Sequence, residues 1–407
     1  MNKETFYQID KLSRMRIWTI RVETTGSVHN IITENGLVDG QLDGAVTPII
    51  LGKGKKSAYE QACADAYTEI KAKLKNGYVS DITQAKNTGE TATIMEPMKG
   101  YKYHPTGLFK DKSIRKDTYT LDGKMTPKGT INSKYTFRGR AIGIERKLDG
   151  FRYRIELQDE PIYYSSSGDI VPGFPHITAH IKTVYATNPD YYRGKILDGE
   201  MYNHKLKTEF GFNIIQQACS TRKNLTPDKI ELRSQMQFHI FDTCMDVALK
   251  YRKDFILPFA NGTDIINVQT YYVIANVTVI EEYMTKFLDE GYEGLMIRFL
   301  DMPYEYDRSY QLYKYKPEED DEFEIVDFER SIQGETLGAF ICKMSDGRTF
   351  RADTMDELGT DAMKQYIWNH KNEYLGKWVN VKFMEYTFDG KPRHPKARYL
   401  RKGKSLD

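Results

Sequence analysis

One octad constrains this chain more than any other stretch: Glu145-Arg146-Lys147-Leu148-Asp149-Gly150-Phe151-Arg152. Apolar Ala141-Ile142-Gly143-Ile144 precedes it, and Tyr153-Arg154-Ile155-Glu156-Leu157 follows with the period-two alternation of a strand. The pattern predicts a strand, a sharp loop and a second strand, with Gly150 free to take a backbone angle that other residues avoid. Such a loop can present a lysine amine into a cleft, and an amine whose surroundings favour its neutral form is a covalent nucleophile. The same pattern also describes an exposed charged hairpin. The rest of the chain has to decide between the two.

At 407 residues the chain has room for two or three domains with sizeable cores. Its 40% hydrophobic and 29% charged residues suit a globular protein. No apolar run approaches the ~20 residues that span a bilayer, and Met1-Asn2-Lys3-Glu4 leads into no signal-peptide core. No membrane association, no secretion and a cytoplasmic location are therefore expected. Cys63, Cys219, Cys244 and Cys342 are far apart and form no CxxC pair, which argues against a zinc site or a disulfide framework. The net charge of +2 does not by itself imply nucleic acid, but the distribution is uneven: Lys391 to Lys404 holds seven Lys/Arg and no acid.

Residues 1–90 read as a small α+β domain. Arg16 to Val22 alternates as a strand, Ile31-Ile32 and Thr47 to Leu51 suggest further strands, and Gly36, Asp39-Gly40 and Gly52 to Lys56 signal turns. Ser57 is placed to cap a helix from Ala58 to about Lys75, which Asn76-Gly77 ends. Residues 81–96 read as a polar linker. The second domain is expected over 91–317. In it, Lys195 to Tyr202 is an apolar strand ending in Asp198-Gly199-Glu200, Gln237 to Asp242 is an alternating strand, and a helix runs from about Ile280 to Glu290. Glu318 to Glu322 reads as a solvated hinge. The short alternating strands from Phe323 onward predict a small β-barrel of the OB type over 318–407.

A lysine nucleophile attacking a nucleotide phosphate needs specific company. Fixed cations must stabilise the phosphate charge, and Lys314 and Lys316, two apart on one strand, would point the same way. They would also favour the neutral form of a nearby amine. A carboxylate at a strand end, Glu200, can accept from ribose hydroxyls. Phe241 can stack on a base. Glu293, beside Gly294, can offer a hard oxygen to a divalent cation. Each feature has a plain alternative: a turn, a core aromatic, a solvated face.

In this set and order the residues resemble the nucleotidyltransferase motifs of ATP-dependent DNA ligases of the viral or phage kind. Lys147-Leu148-Asp149-Gly150-Phe151-Arg152 resembles the KxDGxR motif. Asp198-Gly199-Glu200, Phe238 to Asp242, Glu293 to Arg298, Arg308-Ser309 and Lys314-Tyr315-Lys316 resemble the motifs that follow it. The resemblance implies an α+β adenylation domain of antiparallel sheets and helices, followed by an OB-type barrel. It implies ATP and Mg²⁺ (or Mn²⁺) as cofactors, AMP carried on Lys147, and Glu145, Arg152, Glu200, Phe241, Lys314 and Lys316 around the nucleotide. Glu293 and Glu200 would hold the metal, and Arg298, Arg308, Arg398, Arg401 and Lys404 would contact DNA phosphate. The expected partner is nicked double-stranded DNA, bound by a monomer, in the host cytoplasm if the source is viral.

Two departures stand out. Tyr164 to Gly168 lacks the arginine that the family often carries there, and Arg401-Lys402-Gly403-Lys404 lacks the aspartate of the last motif. The first domain resembles the WGR domain through Trp18, Gly36, Gly40-Gln41, Gln61-Ala62, Ala66 and Gly77-Tyr78, with Asn35-Gly36-Leu37 where that family has its signature. That resemblance implies a DNA-contacting module. An RNA ligase or an mRNA-capping guanylyltransferase would share the lysine motif and the barrel, and a silent nucleic-acid-binding protein would keep the fold without the chemistry.

Overall fold

In the computed structural model, which describes residues 1–10, 14–87, 96–105, 118–125, 130–220, 226–387 and 389–401, the octad is a bridge between sheets and not a hairpin. Ala141–Lys147 and Phe151–Glu156 are both strands, with Leu148-Asp149-Gly150 between them. The first lies in an eight-stranded sheet, paired to Tyr271–Ile274 on one side and Gly294–Phe299 on the other. The second lies in a five-stranded sheet, paired to Ile162–Ser165 and Ile196–Tyr202. Gly150 is needed for a reason other than the one its sequence suggests. It is absent from the positive-φ glycines, but a Cβ there would lie 2.4 Å from the Met201 carbonyl oxygen and 2.8 Å from Glu200 Cγ. The loop must pass that close to the neighbouring strand.

Both sheets belong to one compact unit, residues 95–318 with 386–391. Side-chain alternation gives each sheet a core face. On Gln237–Thr243, Phe238 and Ile240 are fully buried while His239 and Phe241 turn to the other side. The five-stranded sheet packs Ile155, Leu197, Phe238 and Ile240 with Ile177 and Ile181 of the helix Pro175–Tyr185. The eight-stranded sheet packs Ile142, Ile144, Leu295 and Ile297 with Ile280, Met284 and Phe287 of the helix Val277–Asp289. That helix starts three residues before the expected Ile280 because the Asn276 side chain accepts from the Val279 N–H and caps it there. Glu200 is not at a strand end as expected: Ile196–Tyr202 continues past it, with Glu200 opposite Arg152 and His239.

The second unit comprises 1–94, 319–385 and 392–407. Its N-terminal part is an antiparallel meander, Glu4–Ile9, Met15–Thr25, Val28–Leu37 and Leu42–Ile49. The helix Ala58–Lys75 packs on it through Ala62, Ala66 and Ile70 against Trp18, Ile20 and Ile31. Gly36 is not a turn but sits within the third strand, where a Cβ would lie 2.6 Å from the Gln41 carbonyl oxygen. Part of the expected linker is the short helix Ile82–Asn87, and 88–95 lie outside the described residues. The remainder is a closed five-stranded barrel in the order Glu319–Arg330, Leu337–Lys343, Thr349–Thr354, Lys396–Leu400, Trp378–Phe383, with the helix Asp361–Asn369 before the strand Trp378–Phe383. This is the expected OB-type barrel. The acidic run is not a hinge: Glu319 to Glu322 begins the first barrel strand and pairs with Phe383 to Asn380. The meander and the barrel meet where the Ile50 N–H donates to the Ile332 carbonyl at 3.0 Å.

Ser57 forms a full capping box with Glu60 at the start of the long helix. Ser57→Ala removes it and is expected to cost about 1 kcal/mol. Thermal unfolding should show this as a lowered transition for the N-terminal module, with the barrel and sheet transitions unchanged.

Candidate active site

Lys147 is the last residue of its strand, opposite Gly294. It points into a cavity of about 270 Å³ lined from both sheets, by Glu145, Arg152, Glu200, Phe241, Arg298, Arg308 and Lys314 among others. Its Nζ is paired with one carboxylate oxygen of Glu293, and Lys316 Nζ donates to the other at 2.9 Å. Burial opposes ionisation of Glu293, but Lys147 and Lys316 outweigh it and hold the carboxyl below its usual range. The close approach depends on Gly294, at φ +144°, where a Cβ would lie 2.3 Å from the Tyr315 carbonyl oxygen. The expected pairing of Lys314 and Lys316 on one face is therefore corrected. The strand Arg308–Tyr315 ends before Lys316, so Lys314 lines the cavity while Lys316 holds Glu293. The direct partner of Lys147 is a carboxylate, not a cation.

Arg152 is one of the residues expected around the nucleotide. Its Nε donates to Asp198 at 2.8 Å and its Nη1 to the Met98 carbonyl at 2.6 Å, so these donors are turned into the protein wall. Its guanidinium lies 5.2 Å from the Phe241 ring centroid, and that of Arg298 5.9 Å from it. Phe241 is thus held on the cavity face by two flat cations. Burial pushes the Glu200 carboxyl up to about 8, against the pull of Lys147 and Arg152.

Behind the cavity is a buried ion network that the sequence did not announce. Glu145 accepts from Thr270 Oγ1 at 2.6 Å, Lys253 Nζ at 2.6 Å and Arg298 Nη1 at 3.1 Å. Arg298 also binds Asp242 and donates to the Phe241 carbonyl at 2.9 Å. Asp242 in turn accepts from Arg252 Nε at 2.6 Å. Burial opposes the charge on Glu145 and Asp242, yet the surrounding cations keep both carboxyls below their usual range. Arg252 and Lys253 lie on the helix Leu249–Ile256 and are both buried. Arg298 is only 4% exposed, which corrects its assignment to DNA phosphate.

Arg308 is exposed at the start of its strand and lines the cavity. Arg398 and Arg401 belong to the other unit: Arg398 is on the last barrel strand, and Arg401 just beyond it, with Nη1 2.9 Å from Glu322. Lys404 lies outside the described residues. Asp149 is buried. Among the described residues, no cluster of three or more His, Cys, Asp or Glu makes a metal cage. Glu200 and Glu293, within electrostatic reach of each other and of Lys147, nevertheless fit Mg²⁺. That ion is often held by one or two carboxylates with water and substrate phosphates supplying the rest.

The Glu200 shift has a testable sign. With its carboxyl raised in the folded chain, the unfolded chain ionises first as pH climbs, so folding stability is lost between the ordinary carboxylate range and about pH 8. Glu200→Gln should flatten that decline, as read from unfolding free energies across the interval. An unchanged slope would show that the group ionises normally.

Residues 128–316 match the family described as ATP dependent DNA ligase domain, and 333–401 match the DNA ligase OB-like domain. A DNA ligase of African swine fever virus is 27% identical over 223 residues, covering 51% of this chain and 49% of that protein. The DNA ligase of a tick isolate of the same virus is 27% identical over 315 residues, covering 72% and 71%. The chain thus spans about half the length of the first of these relatives. Among solved structures, one named "Pmar-Lig_PreS3" superposes with a TM-score of 0.54 at 21% identity, covering 65% of this chain and 64% of that one. Another, from "DNA binding with a minimal scaffold: Structure-function analysis of Lig E DNA ligases", gives 0.52 at 20% identity, covering 69% and 97%. At these identities the likeness concerns the fold.

Proposed function

We propose that this chain, which belongs to the ATP-dependent DNA ligases through residues 128–316 and 333–401, seals 3′-hydroxyl/5′-phosphate nicks in duplex DNA. The observation that carries this reading is the placement of Lys147 at the mouth of a strand, facing a cavity that also presents Glu200, Phe241 and Lys314.

Lys147 Nζ attacks the α-phosphate of ATP, a P–N bond forms as the bond to pyrophosphate breaks, and the protein carries AMP. The AMP then passes to the 5′-phosphate at the nick. The 3′-hydroxyl attacks that phosphate, closing the strand and releasing AMP. Glu293 orients the amine, and attack requires their ion pair to open. Lys314 stabilises charge on the phosphate, Phe241 stacks on the base, Glu145 lies towards the base edge, and Glu200 accepts from the ribose. Glu200 and Glu293 would hold Mg²⁺ (or Mn²⁺), which would supply charge neutralisation for the triphosphate. Lys316 keeps Glu293 ionised, and Arg152 shapes the wall beside Phe241. Arg308, with Arg398 of the barrel, Arg401 just beyond its last strand and Lys404, contributes DNA phosphate contacts.

The proposed organisation is an accessory DNA-contacting module over 1–90, an adenylation domain over 91–317 and the barrel over 318–407, acting as a monomer in the cytoplasm. Among the described residues no helix is long and apolar enough to cross a membrane.

Incubation with α-labelled ATP should leave label on the parent chain and none on Lys147→Ala. A labelled Lys147→Ala chain would sink the reading, and label from GTP in preference to ATP would move it to a capping enzyme. Phe241→Ala should raise the KM for ATP roughly ten-fold, the scale of one lost aromatic–base stack, with kcat less affected. An unchanged KM would reduce Phe241 to packing between Arg152 and Arg298.

A further inference from the structure

Beside the cavity, three tyrosine rings form a column. Tyr310 is stacked between Tyr101, with centroids 4.9 Å apart and planes 16° apart, and Tyr135, at 4.6 Å and 14°. Tyr119 closes the group edge-on from within the core. A cation lies over each outer ring: Arg308 is 5.5 Å from the Tyr101 centroid and Lys134 is 5.7 Å from that of Tyr135. Tyr310 sits where the pairing of its strand with Lys99–Tyr103 slips, between Ser309 and Tyr313. Such an irregularity re-aims a side chain, and irregularities of this kind recur next to functional sites. Tyr310 is 37% exposed, unlike the buried Tyr103, Tyr119 and Tyr313 of the same sheet.

We propose that this cation-flanked column binds the sugar–phosphate backbone of the duplex adjoining the nick. The inference rests on the ligase reading for the identity of the duplex. Two features select the occupant. Both faces of Tyr310 are covered by rings and its hydroxyl gathers with those of Tyr101, Tyr119 and Tyr135, so the column offers ring edges and a hydroxyl cluster, which suit a phosphate or sugar oxygen and not a stacked base. The flanking charges on Arg308 and Lys134, both exposed, suit an anion, and backbone contacts of this type set register on DNA without reading sequence. Position supports it as well. Arg308, Lys99 and Gly100 line the nucleotide cavity, and their strands also carry Tyr310 and Tyr101. A 5′-phosphate brought to Lys147 leaves its strand running over the surface beside that cavity.

The test uses the full chain, a nicked duplex and three variants. Tyr310→Phe keeps the ring stack and removes the hydroxyl, and should weaken nicked-duplex binding about five-fold. Tyr310→Ala should weaken it further. Lys134→Gln should lower the slope of log affinity against log salt by about 1, the share of one neutralised phosphate. All three should form lysyl-AMP from labelled ATP as the parent does. If Tyr310→Phe and Lys134→Gln bind nicked duplex as the parent does at every salt concentration, the column is packing and the proposal falls. A parent chain that forms no lysyl-AMP would end the ligase reading, while weakened binding in these variants would still establish the surface.

Discussion

The guanidinium of Arg298 is the tie on which the candidate site depends. It comes from the eight-stranded sheet, on Gly294–Phe299, and its partners come from both sheets: Glu145 on Ala141–Lys147, and Asp242 with the Phe241 carbonyl on Gln237–Thr243. Arg252 binds the second oxygen of Asp242, and Lys253 binds Glu145. Each carboxylate therefore has two cations, and the set is buried. Replacing such a network with apolar residues can be neutral, but removing one partner leaves an uncompensated buried charge at a cost of about 3–5 kcal/mol. The network is thus better understood as a specification than as a source of stability. It fixes the offset between the sheets, and with it the width of the cavity between Phe241 and Lys147.

From that constraint the geometry of the site follows. Phe241 is skipped where Gln237–Thr243 pairs with Ile196–Tyr202, and it and Asp242 both line the cavity, so anchoring Asp242 fixes the place of Phe241 beside it. Glu145 and Lys147 share a strand two residues apart, so the anchor on Glu145 sets the depth of Lys147. Three glycines then allow backbones to approach where a Cβ would collide: Gly150 at Met201, Gly199 at Phe238 and His239, and Gly294 at Tyr315. They bring Lys147, Glu200 and Glu293 within electrostatic reach of one another although they come from three different segments of the chain.

Much of this was legible in the sequence, and the failures share a cause. Strand and helix positions followed from periodicity and from caps such as Ser57, because those signals are local. That Lys147, Glu200, Phe241 and Glu293 come near one another was legible through the order of their motifs. What stayed hidden depends on pairing between distant segments. Nothing in the octad says that its two strands join different sheets, so Gly150 read as a turn residue when it serves a close approach. Arg252 and Lys253 gave no sequence signal because their partners, Asp242 and Glu145, lie on other elements. Lys314-Tyr315-Lys316 read as two parallel cations because the strand end at Tyr315 is set by Gly294 across the sheet. The acidic run Glu319–Glu322 read as a hinge because its charges face solvent, and solvated residues on a barrel strand have the same composition as a linker.

The pairing of Glu293 with two lysines brings the chemistry and the fold into tension. Lys316 and Lys147 together keep this carboxylate ionised in a buried place, which is the state a hard cation needs in a ligand. The same contact engages the Lys147 amine, which the proposed attack on phosphorus has to free. A site that was ready for the nucleophile alone would not keep a carboxylate there. A site built only for a cation would not place the lysine against it. On the proposed reading the charge on Glu293 is shared in turn, first with Lys147 and then with the charges of a bound nucleotide complex. Lys316, on the second oxygen, keeps Glu293 in place through that change.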